Sequence, residues 1–253
     1  MSFRVQAHFA LLRFVAKTDR LEDLHHPIEG EIKRALERIR RAERMGPEEY
    51  VDHVNETSGL LIEELLGLAF AAAQVFLTAV KTRFVALARA YHQEFGAELT
   101  LGGMAGFGGK SEKNGYSLFK YTGEPPTQAS FTAIEAINAV ANYWKHHEEW
   151  PRTLKPHGKW CKIVWNDKKA NNIQKRTIEI ARALGMSPSG GVWNLQEAVK
   201  KLGVRRDFDL TPVRRSLQAW AASLLKETEG QISAANKASS GRARNTCAAD
   251  ARR

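Results

Sequence analysis

The apolar residues of this chain recur mostly at helical spacing. In several segments they return every three or four positions, and stretches of Gly, Pro and polar residues separate these segments. The spacing predicts an all-α fold: an up-and-down helical bundle with a long Gly-rich loop and a smaller basic helical C-terminal region. The predicted helices cover residues 3–17, 28–44, 47–96, 128–150, 170–184, 193–202 and 211–230.

The longest predicted helix has an apolar middle. Its run from Leu65 to Val80 is flanked by charged residues and interrupted by Gln74. A membrane span needs about 20 predominantly apolar residues, and this run is shorter and rich in Ala. We therefore interpret it as a central core helix of a soluble protein, which Ser58 and Gly59 could break, and we expect no membrane partner.

Three segments interrupt the helical pattern. Residues 25–27, His-His-Pro, separate the first two helices, because Pro disrupts a helix interior. Residues 97–127 are rich in Gly and predict a long irregular loop, in which Asn114 and Gly115 could turn a short hairpin. Residues 160–165 have the character of a strand.

The domain organisation predicted from these elements has three parts. Residues 1–150 would form the helical bundle, and residues 151–232 a basic helical region. The boundary is placed near Pro151, although the two parts could also be one domain. Residues 233–253 are small and polar, which predicts a disordered tail.

Composition adds the class of protein and its setting. The chain has 253 residues, of which 43% are hydrophobic and 26% charged, which is typical of a globular protein with its own core. It has two cysteines, Cys161 and Cys247, too few for a disulfide framework or a four-thiolate zinc site. This favours a reducing, cytoplasmic setting, with Cys161 as a small buried side chain.

The charge of the chain is unevenly distributed. Residues 151–253 contain 21 Lys and Arg against 8 Asp and Glu, whereas residues 1–150 contain 17 against 20. Such asymmetry suits contact with a polyanion. A solvated basic surface with a basic tail would explain the same counts, so charge alone leaves both interpretations open.

Two familiar kinds of site are weakly supported. The segment GGMAGFGGKS ends like a phosphate-binding P-loop, but Met104 stands where the first Gly belongs. The histidine pairs at 25–26 and 146–147 are adjacent, and neighbours on a helix point about 100° apart. We therefore expect no metal and no cofactor. A small-molecule enzyme that uses the Gly-rich loop as a lid is a weaker alternative.

The predicted helix 128–150 carries the best candidate site. Its polar side chains recur at steps of three or four, so they share one face: Glu135, Asn138, Asn142, then Lys145 or His146, then Glu149. An imidazole can take or give a proton at cellular pH, and a neighbouring lysine can stabilise charge developing on a phosphate. A solvent-exposed face with ordinary ion pairs would show the same pattern.

The segment NAVANYWKHHEEW, residues 138–150, resembles the motif helix of HEPN-type proteins. These are all-α bundles that often dimerise, and many are metal-independent ribonucleases of toxin–antitoxin, antiphage and CRISPR-linked systems. Their pattern is an arginine, usually a polar residue next, and a histidine after four to six intervening residues. Asn142 matches the polar residue and His146 the histidine. Ala141 stands in place of the arginine, and no arginine precedes His146 or His147 at an allowed distance.

This resemblance implies an RNA-acting protein of a bacterial toxin or antiphage defence system, and a metal-independent endoribonuclease if it is active. His146 would then act as general acid or base at a ribose 2′-hydroxyl, and Lys145 would stabilise the phosphorane. Asn142 would orient these groups, and Glu149 would hold a partner side chain. Dimerisation would bring two such faces together, and a defence-system protein is the other expected partner.

The missing arginine implies an alternative. Lysine lacks the planar fork with which arginine holds a phosphate. The chain could therefore be a non-catalytic nucleic-acid-binding or assembly subunit, with the motif helix as a dimer or partner surface.

Basic and aromatic residues alternate after Pro151, a composition that suits nucleic-acid backbones and unstacked bases. The tryptophans could instead be core anchors and the lysines a solvated rim. We predict nucleic-acid contact by Arg152, Lys155, Lys159, Lys162, Lys168 and Lys169.

Overall fold

The computed structural model describes residues 3–17, 19–102, 106–108, 116–121, 131–157, 160–188, 193–205 and 207–250. These residues are predominantly helical, which confirms the all-α prediction. The helices are α1 (Phe3–Val15), α2 (Asp19–Met45), α3 (Glu48–Phe95), α4 (Ala133–His146), α5 (Asn172–Ala183), α6 (Asn194–Lys201) and α7 (Thr211–Asp250). Strands β1 (Arg152–His157) and β2 (Trp160–Trp165) pair as an antiparallel hairpin, and 3-10 helices lie at Tyr116–Lys120 and His147–Glu149.

The chain forms two compact units that interleave along the sequence. The first unit comprises Met1–Lys17, Thr78–Gln128 and Gln218–Arg253, and the second comprises Thr18–Leu77 and Ala129–Leu217. Pro151, where the sequence predicted a boundary between 1–150 and 151–232, lies inside the second unit. The candidate helix and the basic hairpin therefore belong to the same unit.

Two helices are longer than the sequence predicted. Pro27 lies inside α2, although it lacks the N–H that would bond to the carbonyl four residues earlier. Buried Leu21 and Ile32 hold the helix on either side of it, and apolar burial of this kind outweighs one lost hydrogen bond. Helix α7 continues to Asp250, so the segment from 233, predicted to be a disordered tail, is helical as far as that residue.

Helix α3 is unbroken at Ser58 and Gly59, both of which are buried. It is long and apolar enough to cross a membrane, and half of its most apolar window is buried inside the protein. That burial is compatible with the core helix of a soluble protein.

A glycine on α3 allows α4 to pack closely in the second unit. A Cβ added at Gly67 would lie 2.1 Å from Nε1 of Trp144. Only a residue without a side chain leaves room for this indole. The contact therefore places the Trp144 side of α4 directly against α3.

The strand predicted at 160–165 is confirmed as β2, and it pairs with β1 in a register that places Lys155 opposite Lys162 and Arg152 opposite Trp165. Trp165 is buried, and the guanidinium carbon of Arg182 lies 5.6 Å from its ring centroid. Cys161, expected to be buried, is exposed; it pairs with Pro156 near the turn end of this two-stranded hairpin.

In the first unit, the loop after α3 is held by α7. One carboxylate oxygen of Glu227 accepts a hydrogen bond from the Gly102 N–H (2.8 Å), and the other accepts one from the Tyr121 hydroxyl (2.7 Å). The proposed hairpin turn at 114–115 lies outside the described residues. The residues after it, expected to alternate as a strand, form the 3-10 helix Tyr116–Lys120.

Candidate functional site

Helix α4 begins with a reciprocal cap. The Glu135 N–H donates to the Thr132 hydroxyl oxygen (3.0 Å), and the Thr132 N–H donates to the Glu135 carboxylate (3.1 Å). Glu135 is only 2% exposed, and its other oxygen pairs with the Arg176 guanidinium (3.1 Å). Glu135 is therefore a capping and core-pairing residue.

The two amides of the polar stripe face α3 in the second unit. The amide nitrogen of Gln74 donates to the side-chain oxygen of Asn138 (3.0 Å) and to that of Asn142 (2.6 Å). Gln74 and Asn138 are buried. The oxygen of Asn142, expected to orient Lys145 or His146, is thus engaged in the contact between two helices.

The end of α4 is the exposed part of the stripe. The His146 side chain is 46% exposed, and its Nδ1 lies 3.1 Å from a carboxylate oxygen of Glu149, whose side chain is 73% exposed. Lys145 is exposed as well. These three groups are accessible to a ligand from solvent, and His146 is not a core histidine.

A buried tyrosine anchors this end of α4. The hydroxyl of Tyr143 donates to the Ser187 carbonyl oxygen (3.0 Å) and accepts from the Asn194 amide (2.6 Å). The Trp150 ring packs edge-on against the Tyr143 ring, with 5.6 Å between centroids. Burial raises the pKa of Tyr143 to about 12, so its hydroxyl stays protonated and acts as a structural hydrogen-bond donor.

A second buried acid, Glu63, was not found from the sequence. Its two carboxylate oxygens accept the N–H groups of Leu195 (2.8 Å) and Gln196 (3.1 Å) at the start of α6. Burial raises the pKa of Glu63 to about 7, and the hydrogen bonds from α6 oppose that rise. A carboxylate at a helix N-terminus is favoured because the first N–H groups of the helix have no partner within the helix. The sequence feature that could have indicated this buried acid is the position of Glu63 at the edge of the apolar run of α3.

The predicted basic residues of the hairpin and of the turn after it differ in how far solvent, and therefore a ligand, can reach them. Arg152 is partly buried, and its guanidinium donates to the Pro188 carbonyl oxygen (3.1 Å). Lys159 lies outside the described residues. The remaining predicted cations are all exposed: Lys155, Lys162, Lys168 and Lys169.

Lys155 and Lys162 are directly opposite each other on the two strands. Side chains in such a pair share one face of the hairpin, with Cβ atoms about 5 Å apart. Lys168 and Lys169 lie in the turn that follows β2. The arrangement brings two like charges together on one exposed face, where an anion could bridge them.

Within the ranges that the structure describes, no three His, Cys, Asp or Glu side chains are grouped so that they could hold a metal ion. Most of the P-loop-like segment lies outside those ranges. Comparisons of the chain with protein-family models, curated proteins and solved structures found no match. The resemblance to the HEPN motif helix therefore stays a prediction.

Proposed function

We propose that the chain binds RNA or another nucleic acid through the exposed lysines of the second unit, centred on the β1–β2 hairpin. The observation that carries this proposal is the cross-strand pair of Lys155 and Lys162. Like charges directly opposite each other destabilise an antiparallel pair. A phosphate backbone that neutralises both would remove this repulsion and release counterions.

The surroundings of this pair support the same partner. Lys168 and Lys169 extend the positive surface along the chain, and the C-terminal part of the sequence carries the excess of basic residues. The alternation of basic and aromatic residues after Pro151 suits a phosphate backbone that carries unstacked bases. We therefore favour a single-stranded nucleic acid.

Replacing both paired lysines, Lys155→Gln with Lys162→Gln, should weaken binding of a fluorescein-labelled single-stranded RNA in an anisotropy titration. Each lost phosphate contact should lower the slope of log K against log salt by about 0.7, so we expect a decrease of roughly 1.4 for the pair. Lys226→Gln with Lys237→Gln is the matched control, since these lysines are exposed on α7 and the net charge changes equally.

Equal slopes for the wild type and the hairpin variant would show that the hairpin does not contact the backbone. An equal loss in the control variant would show that binding depends only on net charge. Either result would contradict the proposal.

A second candidate function is a metal-independent endoribonuclease of a toxin or antiphage defence system, acting in the cytoplasm as a homodimer or with a partner protein. The observation that favours it is the exposed pair of His146 and Glu149 beside Lys145. A carboxylate oxygen 3.1 Å from Nδ1 holds the His146 imidazole in one orientation. The other nitrogen would then exchange a proton with a ribose 2′-hydroxyl.

His146→Ala should abolish RNA cleavage measured in EDTA if this chemistry operates, and the wild-type products should end in 2′,3′-cyclic phosphate. Glu148→Gln is the control. It removes a neighbouring exposed carboxylate, whereas the hydrogen bond to His146 comes from Glu149. No cleavage by a wild-type protein that still binds RNA would reject the nuclease and leave the binding function standing.

A further inference from the structure

The outward face of α1 is apolar although the helix already packs its opposite face into the first unit. Val5 and Leu12 are fully buried on the inner side. Successive residues turn by about 100°, so Phe3, Leu11 and Phe14 lie on the opposite side. They are 85%, 42% and 57% exposed. A helix of a soluble protein normally presents polar residues on its solvent side.

The charged side chains of α1, and Lys17 after it, are all positive beside this outward face, whereas α7 carries the exposed Glu229 between the groove residues Leu225 and Ile232. Arg4 lies on one flank, and Arg13 and Lys17 lie on the other. No Asp or Glu occurs from residue 3 to residue 17. A second copy docked on this face would bring these cations together, which disfavours self-association. An anionic surface is complementary to it.

An apolar groove of about 700 Å³ adjoins the outward face. Groove volumes of about 300–1,000 Å³ are typical of sites that hold a small organic ligand, and this one is large enough for an acyl chain. The guanidinium carbon of Arg13 lies 5.9 Å from the ring centroid of Phe9. The residues that line the groove include Phe9, Arg13, Phe14 and Lys17 near or on α1, with Leu225 and Ile232 of α7.

We propose that the outward face of α1 and the adjoining groove bind the surface of a bilayer that contains anionic lipids. Phe3, Leu11 and Phe14 would enter the boundary between headgroups and acyl chains, while the flanking cations contact the headgroups. This is a peripheral contact. It is not a membrane span, which the length of the apolar run in α3 argued against, but it would revise the expectation from the sequence that the protein has no membrane partner.

The first test is flotation of the full-length protein with vesicles of phosphatidylcholine alone and of phosphatidylcholine mixed with phosphatidylglycerol. The wild type should float with the mixed vesicles only. Phe3→Ser with Phe14→Ser should weaken binding roughly tenfold or more, because two aromatic side chains no longer leave water. The matched control is Leu24→Ser with Met45→Ser, whose side chains are 56% and 83% exposed elsewhere, and it should bind like the wild type.

The second test addresses charge. Arg13→Gln with Lys17→Gln should weaken binding to the mixed vesicles by about fivefold for each charge, whereas Lys226→Gln with Lys237→Gln should have little effect. These two charge variants keep the proposal testable if the aromatic variant does not fold, which circular dichroism would reveal.

Three results would overturn the proposal. Wild-type protein that floats with neither kind of vesicle would leave an acidic protein as the partner of this face. Equal binding by the aromatic variant and its control, or equal effects of the two charge variants, would show that only the net positive charge attracts the lipid. All of these outcomes are independent of RNA binding by the hairpin lysines.

Discussion

The buried carboxyl group of Glu63 is expected to make the stability of the second unit depend on pH. Its pKa is raised from 4.5 to about 7 in the folded protein, chiefly by burial. Between these values the folded state holds a proton that the unfolded state has released. The contribution of Glu63 to the free energy of unfolding is therefore fully present below pH 4.5 and is lost as pH rises through 7.

Glu63→Gln should remove this pH dependence. A raised pKa of this size corresponds to roughly 3 kcal/mol of unfolding free energy between the two ends of the window. Urea unfolding at pH 5 and pH 8 should therefore show a smaller difference in the variant than in the wild type. Other groups titrate in the same range. Burial lowers the pKa of His25, which gives a contribution of opposite sign, so the comparison must be between variants.

Glu56→Gln is the control for this prediction, because Glu56 is exposed on the same helix. It should leave the difference between pH 5 and pH 8 unchanged. The same difference in wild type and Glu63→Gln would show that the carboxyl group at the start of α6 does not govern the pH response.

Among the helices, the close contact between α3 and α4 should depend on Gly67. Gly67→Ala would place a methyl group into the Trp144 indole, and overpacking of this kind costs about 1–3 kcal/mol. Gly30→Ala is the matched control in α2, where an added Cβ meets nothing within 4 Å. It should stabilise the protein by about 0.5–1 kcal/mol, since alanine is the better helix former.

A double-mutant cycle tests the stated cause. In a Trp144→Ala background, Gly67→Ala should become neutral or stabilising in chemical denaturation, because the clash has gone. If Gly67→Ala is as destabilising there as in the wild type, the contact with Trp144 is not the reason for the glycine.

The helices could be predicted because they depend on local spacing, and the partners of their polar residues could not. Periodicity placed Asn138 and Asn142 on one face of α4, but it gives no information on whether that face meets solvent. Gln74, which bonds to both, lies 64 residues from Asn138. The bond from the Leu195 N–H to Glu63 spans 132 residues. Pro27 is a case in which a local signal gave the wrong prediction. Proline usually breaks a helix, but α2 continues through it because residues on both sides are buried.

At the scale of the whole molecule, the uneven distribution of charge could be predicted from the sequence, whereas the pairing that places basic side chains opposite each other could not. The strand at 160–165 was predicted, whereas the register that sets Lys155 against Lys162 depends on how β1 pairs with it. The same is true of Arg152, whose guanidinium is held by the Pro188 carbonyl. The candidate site therefore shifts from the polar stripe of α4 to the exposed end of that helix and to the lysines of the hairpin that follows it in the chain.

The most direct test of nucleic-acid binding by this surface is photo-crosslinking of the full-length protein to a 4-thiouridine-labelled single-stranded RNA, followed by mass spectrometry of the crosslinked peptides. We expect the crosslinks to fall within residues 152–169 and to decrease in Lys155→Gln with Lys162→Gln. Crosslinks confined to α2 or to the C-terminal part of α7, with none in the hairpin, would contradict the account.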